Sequence, residues 1–290
     1  MERGWEISLK ARHLSPKTIR SYLETLDTLS SFLSKRRRPR QIGAIRREDI
    51  ESYMADQLAQ WKPKTASVRY GALLQFFKWC VEEDEISASP MAHTKPPQVP
   101  KAETAVIRDA QLKKLLRACE GREFDQRRDT AILRVFLDTG CRLGEVTHLD
   151  VDDVDFAYGV LRVMGKGSKP RAAPFGHNTA QALDRYIRTR RFHSYAHSPA
   201  LWLGQKGKLT DSGITQILRR RCDQAGIPKL HPHQFRHTAA DAWLKAGGSE
   251  GDAMQLFGWS SRQMLGRYAA STAGERAVEA HRKLAPGDRV

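Results

Sequence analysis

Cysteine is scarce in this chain of 290 residues: Cys80, Cys119, Cys141 and Cys222 are scattered, with no Cys-x-x-Cys pair. That excludes a disulfide scaffold and a zinc finger, and it suits a reducing cytoplasm. No apolar run approaches the roughly 18 residues needed to span a bilayer. The N-terminal stretch Met1-Glu2-Arg3-Gly4-Trp5-Glu6 lacks the apolar core of a signal peptide. Negative charge is also in deficit, with 33 Asp+Glu against 49 Lys+Arg and a formal net charge of +16. A hydrophobic content of 40% excludes wholesale disorder and allows a real core. The surplus points to a large anionic partner, with nucleic acid the first candidate. The basic residues are spread along the chain. Only Lys35-Arg36-Arg37-Arg38-Pro39-Arg40 is a dense run, and it reads equally as a phosphate contact and as a solvated loop between helices.

The first ninety residues read as helical. Ser15-Pro16 is a cap followed by proline at the first helical position, and Ile19, Tyr22, Leu23, Leu26, Leu29, Phe32 and Leu33 follow at helical spacing. A second helix carries Ile50, Tyr53, Met54, Leu58 and Trp61. Pro63 opens a third, with Val68, Leu73, Phe76, Phe77 and Cys80. These stripes read as core rather than as base-stacking platforms, while Lys64, Thr65, Ser67 and Arg69 are placed to face DNA. From Ser89-Pro90 onward, Pro96, Pro97 and Pro100 disfavour helix and mark an extended linker.

Beyond the linker, helices are predicted around Leu112–Cys119 and Ala131–Phe136, the latter ending near Thr139-Gly140. A strand is expected over Phe156–Val163 and a partner over Arg171–Phe175, with Gly165-Lys166-Gly167-Ser168-Lys169-Pro170 as the hairpin turn. The rest reads as helical to the end. The fold class is therefore mainly α with a small β-sheet (α+β). Gly165-Lys166-Gly167-Ser168 is not a phosphate loop, because glycine follows the lysine where Ser or Thr should coordinate magnesium. His231, His233 and His237 lack a carboxylate or cysteine at ligand spacing, so no metal site is expected.

Four segments carry the chemistry. They are Thr139-Gly140-Cys141-Arg142-Leu143-Gly144-Glu145, the hairpin Lys166, His231-Pro232-His233-Gln234-Phe235-Arg236-His237, and Gly258-Trp259-Ser260-Ser261 with Tyr268 nine residues after the tryptophan. This set, in this order, resembles the tyrosine recombinases, that is, phage integrases and Xer- or Cre-like site-specific recombinases. The resemblance covers nearly the whole chain. It implies a helical, SAM-like core-binding DNA-binding domain at 9–88, a linker at 89–104, and a catalytic domain at 105–290 with a C-terminal exchange helix.

By that resemblance Arg142 and Arg236 clamp the scissile phosphate, a task suited to the planar guanidinium fork. Tyr268 is the nucleophile that forms a 3′-phosphotyrosyl bond. Lys166 is the general acid for the leaving 5′-oxygen. Lys169 is its close rival, with the Gly-Lys-Gly register favouring Lys166. His233 accepts the tyrosine proton or holds a phosphate oxygen. Trp259 departs from the commoner family histidine; its indole N–H can donate to phosphate but cannot shuttle a proton. Glu145 orients the basic groups. No cofactor is implied.

The implied partners are a double-stranded DNA recombination site and three further copies of the chain, forming a homotetramer that exchanges strands through a Holliday junction. The tail 274–284 reads as an amphipathic helix. The resemblance has it dock on a neighbouring protomer, and packing within its own chain is the alternative. The two domains are expected to form a C-shaped clamp around the duplex. With the first helix beginning near Ser15, no room is left for an arm-binding domain, so a compact recombinase reading core sites is expected, with an accessory protein left open. The expected location is the cytoplasm, on the nucleoid, without membrane contact. The rival functions are a non-catalytic DNA-binding relative and a type IB topoisomerase.

Overall fold

Trp5 and Leu9, four residues apart, are completely buried and make Glu2–Ala11 a helix, α1. The helix expected to be first is therefore the second. The Trp5 ring stacks on Tyr22 at 5.7 Å and meets the edge of Phe76 at 5.0 Å. Two buried positions in a charged decapeptide give too short a period to read, and the burial that stabilises α1 comes from elements later in the chain.

The computed structural model describes residues 1–38, 41–100, 105–165 and 169–259, with 261, 266, 274, 277–278, 281–282 and 285 beyond them. Two units separate, Met1–Ala102 and Glu103–Val290. None of the described helices is long and apolar enough to cross a membrane.

In the first unit, α2 (Pro16–Lys35) starts as its sequence dictates. Pro16 takes the position whose N–H would be unpaired anyway, and the Ser15 side chain accepts from the Thr18 backbone N–H at 3.1 Å. After it come α3 (Arg47–Gln60) and α4 (Pro63–Glu82). Their core joins Ile19, Leu29, Phe32, Leu33, Ile50, Tyr53, Leu73, Phe76, Phe77 and Cys80. Leu58, Trp61 and Val68 were expected among them and instead lie at the surface. Ile50, Tyr53, Met54 and Gln57 already fill the inward stripe of α3, and Trp61 lies past its last turn, where the Arg69 guanidinium sits 5.0 Å over the indole. Within the basic run, Arg36 covers the Phe32 ring and Arg38 pairs with Asp49 at 3.2 Å, whereas Pro39 and Arg40 lie outside the described residues. Part of the expected linker is not free chain. Met91 is buried in this unit, and Tyr70 donates its hydroxyl to the Thr94 carbonyl at 3.0 Å.

The second unit opens with α5 (Asp109–Arg117), α6 (Phe124–Thr139) and α7 (Leu143–Thr147). Strands β1 (Val154–Asp155), β2 (Val160–Gly165) and β3 (Lys169–Pro174) form one antiparallel sheet in that order. The strand expected from Phe156 starts later. The Asp155 carboxylate accepts from the backbone N–H groups of Ala157 and Tyr158, both at 3.1 Å, and turns the chain through Gly159, whose φ is 63°. Pairing runs from Val160↔Pro174 to Gly165↔Lys169, so Lys166 belongs to the connection, which is outside the described residues.

The chain continues with α8 (His177–Arg190), β4 (Leu203–Gly204), β5 (Gly207–Lys208), α9 (Asp211–Gln224), α10 (Pro232–Lys245) and α11 (Glu250–Phe257). The small β4–β5 hairpin interrupts what was expected to be helical throughout; two residues per strand leave no alternation to detect. α6 is the central helix, burying Ala131, Ile132, Leu133, Val135 and Phe136. Its Asp129 carboxylate is fully buried and receives Arg128, Arg220 and Arg221 at 2.8–2.9 Å, tying α6 to α9. The expected tail helix is described only at Gly274, Ala277, Val278, His281 and Arg282.

Candidate active site

The site begins where α6 stops. Gly140 closes that helix with a φ of 56°, a left-handed conformation that costs glycine nothing. A Cβ there would come within 2.6 Å of the Phe257 ring and 3.2 Å of the Ala239 Cβ. Gly140→Ala is therefore expected to destabilise the protein by about 2–4 kcal/mol, combining backbone strain with overpacking. Chemical denaturation checks this, and a change below about 0.5 kcal/mol, the range of ordinary surface substitutions, would contradict it.

Two residues on, Arg142 caps the start of α7, and Glu145 reaches back to it. Glu145 Oε2 accepts from the Arg142 backbone N–H at 2.7 Å, and Oε1 accepts from Arg142 Nη1 at 2.8 Å. A third donor comes from the sheet, Arg171 Nη2, at 2.8 Å from Glu145 Oε2. Burial alone would raise the Glu145 carboxyl. The Arg171 charge and the Arg142 hydrogen bonds and charge outweigh burial and hold it below the ordinary carboxylate range.

The end of α11 completes the site. Its last carbonyls would be unpaired at any helix C-terminus. Here the Trp259 backbone N–H donates to the Met254 carbonyl at 2.8 Å and the Gly258 N–H to that of Gln255 at 3.1 Å. The next three carbonyls each take a guanidinium: Leu256 from Arg171 Nη1 at 2.5 Å, Phe257 from Arg236 Nη2, and Gly258 from Arg142 Nη2 at 3.3 Å. Arg236 Nη1 also donates to the Gly140 carbonyl at 2.9 Å. Cationic groups at a helix C-terminus meet its partial negative charge, so the three arginines are favourably placed despite their mutual repulsion. Arg236 is buried, its guanidinium carbon 5.4 Å from the Trp259 ring, whereas the Arg142 side chain is 30% exposed.

His233 lies one turn before Arg236 on α10, and its ring makes an edge contact with His237 at 5.2 Å. Burial, then the charges of Arg236 and Arg142, hold His233 below the ordinary histidine range. It is therefore neutral near pH 7 and able to accept a proton. His237 is pushed to about 4, by burial first and then by His233 and Arg236. Unfolded histidine titrates near 6.5, so between about 4 and 6.5 the unfolded chain binds the extra proton. Stability is expected to rise with pH across that window and to be lost as pH falls through it, by on the order of 2–3 kcal/mol. Denaturation curves at pH 4.5 and 7.5 test this. The difference should shrink in His237→Gln, and an unchanged difference would remove the assignment.

Of the residues expected from sequence, Arg142, Glu145, Arg236 and Trp259 converge on the end of α11, with His233 beside them on α10. Lys166 and Tyr268 lie outside the described residues. Arg171 was missed. Its signal is positional: it pairs with the buried Val163 across the sheet, an inward place unusual for arginine, but the register had to be known first.

The sequence pattern described as "Phage integrase family" matches residues 105–275, more than half of the chain. The chain belongs to the phage integrase family. The pattern for the "Phage integrase, N-terminal SAM-like domain" matches residues 4–84, a span that takes in most of α1. Curated relatives include "Tyrosine recombinase XerC" of Mycobacterium sp. (strain JLS), 30% identical over 277 residues and covering 92% of each chain. The protein of the same name from Corynebacterium efficiens is 33% identical over 225 residues, covering 77% of this chain and 70% of its own. Among solved structures, XerH site-specific recombinase bound to palindromic difH substrate, a post-cleavage complex, gives a TM-score of 0.76 at 18% identity, covering 94% of this chain and 81% of that one. A lambda integrase dimer bound to a COC′ core site gives 0.74 at 17% identity, covering 92% and 93%. These likenesses show that the two-unit fold is shared. This family member is a tyrosine-type site-specific DNA recombinase.

Proposed function

We propose that the recombinase cleaves and rejoins duplex DNA through a covalent bond between Tyr268 and a 3′-phosphate. The observation that carries this reading is the meeting of Arg142, Arg236, Trp259 and Glu145, from distant segments, around the end of α11, with neutral His233 alongside. The Tyr268 oxygen attacks phosphorus and gives its proton to His233. The bond to the 5′-oxygen breaks, and Lys166 protonates that oxygen. Attack by the 5′-hydroxyl of a partner strand reverses the chemistry and joins new ends, so bond energy is conserved and no nucleotide is consumed. Arg142 and Arg236 neutralise the non-bridging oxygens, the part a metal plays in other phosphoryl transfers. Trp259 donates its indole N–H to one of them.

Exposure orders the events. Arg142 reaches solvent and meets the phosphate first. Arg236 lies under Trp259, so its engagement requires the Gly258-Trp259 segment to shift. Four protomers, linked through tail 274–284, would exchange strands through a Holliday junction on nucleoid DNA in the cytoplasm, with or without an accessory protein. The solved relatives support the assembly by analogy: one is a lambda integrase tetramer bound to a Holliday junction.

The test is recombination between two cognate sites on one plasmid, the sites being taken from DNA flanking the gene. Products in which flanking sequences have exchanged are expected. Relaxed plasmid without exchange, or specific binding with neither, would overturn the proposal.

A further inference from the structure

We infer that Arg171 is a positioning residue for the cleavage reaction, a third arginine that locks the phosphate clamp to the end of α11. The inference rests on the reading of Arg142 and Arg236 as that clamp.

Glu145 is the hub. Its side chain is only 4% exposed, and both oxygens are in use, Oε1 by Arg142 and Oε2 by the Arg142 backbone and Arg171. Arg171 stands on β3, directly after the hairpin connection that holds Lys166. It spans from Glu145 to the Leu256 carbonyl, one residue before the carbonyl that holds Arg236 and two before the one that holds Arg142. One guanidinium therefore joins the strand behind the general acid, the carboxylate that aims Arg142, and the helix end that receives all three arginines.

Two further observations set Arg171 apart from an ordinary structural ion pair. Gly258, with φ of 61°, leaves space for its side chain: a Cβ there would lie 3.2 Å from both Cδ and Nε of Arg171. The glycine of the Gly-Trp motif thus accommodates this arginine as well as the turn. In addition, Arg171 Nε is buried without a hydrogen-bond partner among the described residues, and Nη2 makes its other contact to a weak acceptor, Cys141 Sγ, at 3.4 Å. A largely covered guanidinium with one buried donor unsatisfied is a poor choice for stability alone. Its geometry is explained by where it holds Glu145 and Leu256.

Lysine cannot replace this fork. A single ammonium is a point charge that can serve Glu145 or the Leu256 carbonyl, but it does not fix the angle between them. The expected result is that Arg171→Lys binds cognate duplex within about threefold of wild type but cleaves a nicked suicide substrate about 10²-fold more slowly in single turnover, with Arg171→Ala slower still. Partial recovery by Lys relative to Ala, at unchanged DNA affinity, is a pattern that simple loss of folded protein does not give. Rates are normalised to folded protein by circular dichroism and thermal denaturation. If Arg171→Ala does not fold, Arg171→Met, which keeps the side-chain length and removes the fork, is measured in its place, with the same loss of cleavage rate expected. Wild-type cleavage rates in folded Arg171 variants would overturn the inference and leave the clamp intact. Absence of any adduct with wild-type protein on DNA that it binds specifically would overturn the clamp reading and the inference with it.

Discussion

Tyr268→Phe is expected to form no SDS-resistant adduct with nicked cognate duplex, while wild type does so without magnesium or ATP. Phenylalanine keeps the ring and removes only the attacking oxygen, so DNA affinity should stay within about twofold while cleavage falls by at least about 10⁴-fold, a loss typical of removing the nucleophile itself. Peptide sequencing of the wild-type adduct should place the DNA on Tyr268. An adduct that persists in the variant would move the nucleophile elsewhere and remove the basis for the proposed route.

Arg236→Lys is expected to lower single-turnover cleavage by about 10²–10³-fold, the loss typical of removing one donor to a developing oxyanion. The charge survives the substitution, but the fork does not. Arg236 Nη1 and Nη2 hold two carbonyls at once, Gly140 at the end of α6 and Phe257 at the end of α11. A lysine ammonium that reaches one leaves the other buried and unpaired, at a cost of roughly 1–3 kcal/mol. Activity should therefore fall together with melting temperature. Near-normal cleavage by folded Arg236→Lys would show that charge alone suffices and that the planar donor geometry is dispensable.

The two substitutions separate what is chemical from what is architectural in the site. Tyr268 is proposed as the nucleophile from the order and spacing of short motifs alone. Arg236 is proposed as a phosphate ligand on the same motifs, which carry no sign of its hold on two helix ends. Those partners lie 96 and 21 positions away in the chain. Arg142 and Gly258 are 116 positions apart, and Arg171 and the Leu256 carbonyl 85. No local pattern encodes such distances.

By itself the sequence determined the starts of α2 and α4, through proline at the first helical position, and the stop of α6, through Gly140. It also determined the helical character of most of the chain and the existence of the β2–β3 pair. Each is a short-range property: a capping bond, a fixed φ, a left-handed turn or a periodic stripe acts within a few residues. Tertiary structure alone decided that α1 is a helix held by Tyr22 and Phe76, that Trp61 lies outside the core, and that Asp155 delays the second strand. It also brought Arg171 into the site. In each case the deciding partner is either distant in sequence or set by strand register. Burial, in which unpaired polar groups are costly, then selects among arrangements that the local signals leave equal.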